Sequence, residues 1–202
     1  MNKRSIFLLS TVMIVFSFSC NYEAADNNDT PKIQDSVNYA KNEKDSAENR
    51  SEECFNTIRS FLKWYKSNFS KILSIQLVDL HEDSTTAQYR VNFKNAEKYI
   101  SVLRSAGFFS ERFLQEKLQY FKEADRKLID LKQNDGPPEG FDADLLLFTQ
   151  DMEAVFEKVE TLQLEKINPN LIKLISVDNN LLINVSESNG KCLIDKISFS
   201  RK

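Results

Sequence analysis

Between Phe55 and Phe69, large apolar residues return at spacings of three and four: Phe55, Ile58, Phe61, Leu62, Tyr65 and Phe69. A 3.6-residue repeat puts all of them on one stripe, which predicts an amphipathic helix. Its expected start is near Ser51, with Glu52 and Glu53 at the positive end of the helix dipole. Trp64 lies off the centre of the stripe. Ile72–Leu80 and Thr85–Phe93 read as strands. In the second, Ala87, Tyr89, Val91 and Phe93 alternate with Gln88, Arg90 and Asn92, and His81-Glu82-Asp83-Ser84 reads as the hairpin turn. Helical spacing resumes from Asn95 to Ala106, with Tyr99, Val102 and Leu103 inward and Gly107 as a left-handed cap. Ser110 is expected to cap a longer helix to about Gln133 that carries Phe113, Leu114, Leu118, Phe121 and Leu128. Asn134-Asp135-Gly136-Pro137-Pro138 breaks it. Phe141–Asp151 reads as a loop with a short apolar core, Leu145–Phe148, and Met152–Thr161 as a short helix.

The remainder is strand-like. Leu162–Ile167, Leu171–Val177, Leu181–Val185 and Cys192–Phe199 are separated by turn signals at Asn168-Pro169-Asn170, Asp178-Asn179-Asn180 and Ser188-Asn189-Gly190. Helix, strands, helices and then a strand meander predict an α+β fold, with helices packed on one face of an antiparallel sheet.

The N-terminus has a different pattern. Lys3 and Arg4 precede an apolar run from Ile6 to Phe18, shorter than the roughly 20 residues that span a bilayer. That is the composition of a signal peptide. Ser17-Phe18-Ser19-Cys20 resembles a lipobox, which implies cleavage before Cys20 and a membrane anchor through lipid on that cysteine. From Asn21 to Arg50 the chain is polar and poor in large apolar residues, the composition of a disordered tether. The expected organisation is a lipoprotein signal peptide at 1–19, a lipidated cysteine and tether at 20–50, and one α+β domain at 51–202. Asp35-Ser36-Val37 and Asp45-Ser46-Ala47 resemble a short O-glycosylation pattern, which makes Ser36 and Ser46 candidate modification sites.

Charge and composition mainly exclude. A net charge of −3 leaves no electrostatic footprint for nucleic acid. His81 is the single histidine. It has no Cys or His neighbour at ligand spacing, so no metal site is expected. There is no Gly-x-Ser-x-Gly turn, P-loop or Gly-x-Gly-x-x-Gly, and no cofactor is expected. Cys54 and Cys192 face an oxidising compartment if the chain is exported, which permits a bridge. Helix and sheet layers lie about 10 Å apart, however, while bridged Cα atoms lie about 4.4–6.8 Å apart, so two buried, unpaired thiols are expected. The densest polar cluster is Asp142, Asp144, Gln150 and Asp151. Neighbouring carboxylates can serve acid–base chemistry or bind Ca²⁺. Capping of backbone N–H groups in a structured loop is the favoured reading. With Trp64 and Tyr65, these four are the candidate binding residues.

Several segments resemble one family. Phe61-Leu62-Lys63-Trp64-Tyr65, Gly107-Phe108-Phe109-Ser110-Glu111-Arg112-Phe113 and Glu139-Gly140-Phe141-Asp142-Ala143-Asp144-Leu145 through Thr149-Gln150-Asp151 are similar to a domain of unknown function in Bacteroidetes-type lipoproteins. Gly190-Lys191-Cys192-Leu193-Ile194-Asp195-Lys196-Ile197 resembles its ending, with Cys192 where a Trp is common. The resemblance covers about 51–201. It implies a cystatin-like or NTF2-like cone and a lipid-anchored place in the bacterial cell envelope, expected at the outer membrane. It carries no catalytic residues. The expected function is non-catalytic binding of a small molecule or an envelope protein in the cleft between helices and sheet. Two alternatives stand beside it: an enzyme acting on a small molecule in the cone pocket, and an inhibitor or immunity protein for a secreted toxin. Two or more carboxylates, or a Tyr–Asp pair, converging on an open apolar cavity would favour the enzyme, and a filled cone would favour a protein-binding or structural role.

Overall fold

The computed structural model describes residues 34–83, 86–175 and 180–199. Cys20 and the predicted signal peptide lie outside them. The first helix, α1, spans Gln34–Leu73, so it begins well before Ser51 and includes Ser36 and Ser46. The stretch expected to be a tether is therefore helical from Gln34 onward. No Gly or Pro interrupts Gln34–Leu73, and extending an existing helix fixes one residue per added hydrogen bond, which polar helix formers tolerate. Cys54, Ile58, Phe61, Leu62, Tyr65 and Ile72 are buried.

The end of α1 corrects the first strand. Ile72 stands three residues after Phe69, on the same helical stripe, and continues the helix instead of opening a strand. Strand β1 is Val78–Asp83, paired antiparallel with β2, Thr86–Val91. His81, Glu82 and Asp83 thus extend β1, and His81 is an exposed strand residue rather than part of a turn. Phe93 does not continue β2. It opens α2, Phe93–Ala106, and is exposed. The Asn92 side chain caps that helix by accepting from the Asn95 amide, which makes an earlier start than Asn95 possible. Ala96, Tyr99, Ile100 and Leu103 are its buried face. Gly107 closes it at φ 74°, the left-handed conformation that costs glycine little.

Ser110 caps α3, Glu111–Leu131, by accepting from the Phe113 amide, as its position predicted. After the loop, α4 is short, Met152–Glu157. Strands β3 (Gln163–Asn168), β4 (Leu171–Ile175), β5 (Leu181–Ser188) and β6 (Lys191–Phe199) form an antiparallel meander in chain order. Burial alternates along β4, β5 and β6, so one face of this sheet is covered. The pairing shifts register between Asn184 and Val185, and the extra β6 residue lets both Ile194 and Ile197 face the core. The outer edge of β6 meets Phe109 in a parallel bridge, with the Ser110 amide donating to the Ile194 carbonyl at 3.0 Å. That contact covers part of an otherwise open edge.

The fold is α+β. Helices α1 and α3 both pack against β6, and α2 packs against both helices. The core between them contains Phe61, Tyr65, Leu114, Phe121, Ile183 and Ile194. Burying each such side chain contributes roughly 1.5–3 kcal/mol against its exposed state. The β1–β2 hairpin is a separate two-stranded sheet. It leans on α3: Arg90 forms two 2.9 Å bonds to the Asp125 carboxylate, which also accepts from the Val91 amide at 3.0 Å.

Cys54 and Cys192 are joined by a disulfide with a Cα–Cα distance of 5.2 Å. The expectation of unpaired thiols is overturned. The error lies in using the distance between layers as if it were a distance between residues. Helical Cα atoms stand about 2.3 Å off their axis, so a residue facing the sheet approaches it by that much. The β-pleat brings its partner closer still. Cys54 is buried on α1, and Cys192 is buried at the start of β6. The Cys192 amide donates to Glu53 Oε1 at 3.1 Å, which ties the same two elements together beside the bridge.

Candidate functional site

The segment between α3 and α4 is organised around Asp144. Its Oδ1 accepts from the amides of Leu146 (2.9 Å) and Leu147 (2.7 Å), and its Oδ2 accepts from the Tyr65 hydroxyl. Its own carbonyl accepts from the Phe148 amide at 2.9 Å, and its amide donates to Thr149 at 3.0 Å. Leu146 and Leu147 are thereby turned into the core, both buried. Phe148 adopts φ 53°, a left-handed conformation uncommon for a bulky residue, and packs its ring 5.0 Å from Phe199. Gly140 precedes this turn at φ 82°. A Cβ there would lie 2.8 Å from the Tyr120 hydroxyl, which donates to the Gly140 carbonyl. Both the dihedral and the close approach require glycine.

Asp144 stands between two cavities. The first, about 260 Å³, opens where the end of α1, the start of β1, α2 and the 138–145 segment meet. Phe69, Ile72, Leu77, Val78, Phe141 and Leu145 make most of its wall apolar, Tyr65, Gln76 and Asp144 are its other polar residues, and Tyr99 stands in the wall with its hydroxyl buried. The second, about 620 Å³, is lined by Lys117, Tyr120, Asp142, Phe148, Lys196 and Phe199 among others. Ala143, Asp144 and Leu145 contribute to both.

Burial dominates the electrostatics. It holds the Asp144 carboxyl above the usual carboxylate range, against the lowering effect of the Tyr65 hydroxyl, the two amides and Lys117. Burial, reinforced by the charge of Asp144, pushes the Tyr65 and Tyr99 hydroxyls far up, so both remain protonated donors. Lys117 is pushed down to about 8 by burial, against the raising pull of Asp144 and Glu116. Its ammonium donates to the Leu145 carbonyl at 2.5 Å and lies 5.4–5.6 Å from the ring centres of Phe113, Tyr120 and Phe148. Those faces favour the cation.

Tyr99 is the anomaly. It is 2% exposed, and its hydroxyl has no hydrogen-bond partner among the described residues. A buried hydroxyl left unpaired costs about 1–3 kcal/mol.

The candidate residues separate accordingly. Tyr65 and Asp144 meet directly at the first cavity. Asp142 is exposed and lines the second. The Gln150 side chain donates to the Asp142 carbonyl at 2.9 Å. Asp151 caps α4 through the Ala154 amide at 3.0 Å. Capping, the favoured reading of this cluster, describes Asp144 and Asp151. Trp64 is half-buried beside Phe108, with ring centres 5.9 Å apart, and lines neither cavity. Among the described residues no group of three or more His, Cys, Asp or Glu side chains is placed to hold a metal ion, and no helix is long and apolar enough to cross a membrane.

Tyr99 and Lys117 were missed. Tyr99 reads as an ordinary core position of α2. Lys117 left a clearer trace, a cation on the stripe of Leu114, Phe121 and Leu128, and Asp125 is a second charge on that stripe. A charge at a core-facing position needs a partner or a cavity. Comparison of the chain with protein-family models, with curated proteins and with solved structures gave no match in any of the three.

Proposed function

We propose that this protein is a lipoprotein of the Bacteroidetes type, anchored in the bacterial cell envelope by lipid on Cys20 and placed at the outer membrane, whose domain binds a small apolar molecule without transforming it. The observation that carries the binding reading is the cavity of about 260 Å³ beside Tyr65 and Asp144, apolar over most of its wall with a few polar groups on one side. That combination is characteristic of small-molecule sites. The Cys54–Cys192 disulfide supports an oxidising compartment and hence export.

Two measurements test this reading. Cys20→Ala is expected to release the protein from the membrane fraction. Continued membrane association with undiminished fatty-acid labelling would refute the anchor. Protein purified from its own envelope is expected to carry a small molecule detectable by mass spectrometry of an organic extract. Ala143→Phe, which adds a ring at the wall the two cavities share, should reduce or remove it. Extracts that are identical for the two proteins refute binding in the cavity.

A second reading is favoured by one contact. The Tyr65–Asp144 pair on an apolar cavity is the arrangement expected of an enzyme acting on a small molecule, with Tyr65 as the proton donor. Against it, Asp144 already accepts three hydrogen bonds, which leaves little of its capacity for a substrate. An envelope extract component consumed by the wild type and spared by Tyr65→Phe would establish the enzyme.

A further inference from the structure

We infer that the ε-amine of Lys117, in the wall of the second cavity, is a covalent capture site for neutral aldehydes and unhindered ketones, which it holds as an imine. The site goes beyond the binding reading above, because it uses the other cavity.

Lys117 is set apart by its surroundings. It is half-buried on the apolar stripe of α3 and lines the cavity of about 620 Å³. Among the described residues no carboxylate oxygen lies within 4.0 Å of its nitrogen, and Asp144 and Glu116 act on it from farther away. Its hydrogen bond goes to the Leu145 carbonyl, and Phe113, Tyr120 and Phe148 present their rings to it. A lysine desolvated in this way gives up its proton more readily and becomes a nucleophile. The neutral amine keeps an N–H for the Leu145 carbonyl and gains a lone pair.

The cavity lining selects the electrophile. Three carboxyl groups, Glu116, Asp142 and Asp144, stand against two amines, Lys117 and Lys196, so an anion gains no net attraction there. A carbonyl group offers an electrophilic carbon without a charge to desolvate. Phe113, Leu145, Phe148, Ile197 and Phe199 give its apolar body a wall. A cavity of about 150 Å³ accepts benzene, so about 620 Å³ holds a ring with its substituents.

The step is balanced without an oxidant or reductant. The Lys117 nitrogen bonds to the carbonyl carbon, and one of its protons passes to the carbonyl oxygen to give a carbinolamine. The nitrogen lone pair then forms the C=N bond as the hydroxyl leaves with the second amine proton as water. Hydrolysis reverses both steps and returns the carbonyl compound unchanged.

The test uses the full chain carrying Cys20→Ala at pH 7, with benzaldehyde as the probe and cyanoborohydride to reduce each imine to a stable benzylamine. Peptide mass spectrometry reads the rate at every lysine, so the other lysines are the internal reference. Lowering the amine from 10.5 to about 8 raises its neutral fraction at pH 7 about 300-fold. Lower basicity and the enclosed position offset part of that gain, so Lys117 is expected to react about 10- to 100-fold faster than the median lysine. Its rate should saturate with benzaldehyde concentration, because the cavity holds the aldehyde before the bond forms, while the rates at other lysines rise linearly. Benzoate, of the same size but charged, should leave the Lys117 rate unchanged. Lys117→Arg keeps the cation and should lose the fast, saturable incorporation. Labelling of Lys117 no faster than the median, or without saturation, overturns the inference. Protection by benzoate makes Lys117 an anion site and overturns it as well, and so does fast incorporation that persists in Lys117→Arg.

Discussion

Reducing the Cys54–Cys192 disulfide should destabilise the domain strongly without abolishing its secondary structure. The bridge closes a loop with a sequence separation of 138. The chain-entropy model for a loop of that length gives about 17 cal/mol/K, or about 5 kcal/mol at 25 °C. Removal of native bridges from small domains typically costs about 2–5 kcal/mol, so the entropic figure is an upper bound. The bridge joins α1 at Cys54 to the start of β6, and among the described residues it is the one cross-link between these two elements. With a urea slope of about 2 kcal/mol/M, a loss of about 2–5 kcal/mol lowers the midpoint by about 1–2.5 M. The assay is urea unfolding of the Cys20→Ala chain, with and without reductant, beside a Cys54→Ala/Cys192→Ala variant. Thiol titration of the oxidised protein in denaturant should find none. Two thiols appearing on unfolding without reductant would refute the bridge. A midpoint unmoved by verified reduction would refute the energetic reasoning.

Two further changes probe buried charges. Burial lowers the Lys117 ammonium from 10.5 to about 8, so between those values the unfolded chain holds a proton that the folded chain has released. Stability should therefore rise with pH from about 8 to 10.5 and be flat in this respect below 8. Lys117→Met removes that slope and stabilises the protein near neutral pH by on the order of 1–3 kcal/mol, the burial penalty less the lost carbonyl and ring contacts. Parallel pH profiles of melting temperature for the two proteins would contradict this. Asp125 is the opposite case. The Arg90 guanidinium holds its carboxyl below the usual range, so its contribution is present above 3.8 and is lost as pH falls through the lowered value. Asp125→Asn should cost about 2–3 kcal/mol at pH 7, less than a fully buried pair because the Arg90 side chain is 36% exposed. The difference from wild type should shrink in acid, and urea midpoints that differ equally at pH 7 and pH 2 would refute the assignment.

Local chemistry determined a large part of this protein. The stripe from Phe55 to Phe69, the Gly107 and Ser110 caps, the break after α3 and the strand meander were all legible, because a helix face, a cap or a turn is decided within a few residues by periodicity and dihedral preference. The same information misled where two local patterns overlapped. Ile72 fits an apolar strand run and a helical stripe equally, and packing of the end of α1 decided for the helix. His81 and its acidic neighbours read as a turn, and pairing with β2 drew them into a strand. What only the tertiary structure decided depends on separations that composition and spacing do not encode. Cys54 meets Cys192 across 138 positions, Tyr65 meets Asp144 across 79, and Arg90 meets Asp125 across 35. Asp144 became a cap, as its residue type suggested, but its place between two cavities arises from where α1 and α3 bring Tyr65 and Lys117. The unpaired Tyr99 hydroxyl left no trace in the sequence. A tyrosine on the inner face of a helix looks the same whether its oxygen finds a partner or not, and that is settled by the three-dimensional arrangement of its neighbours.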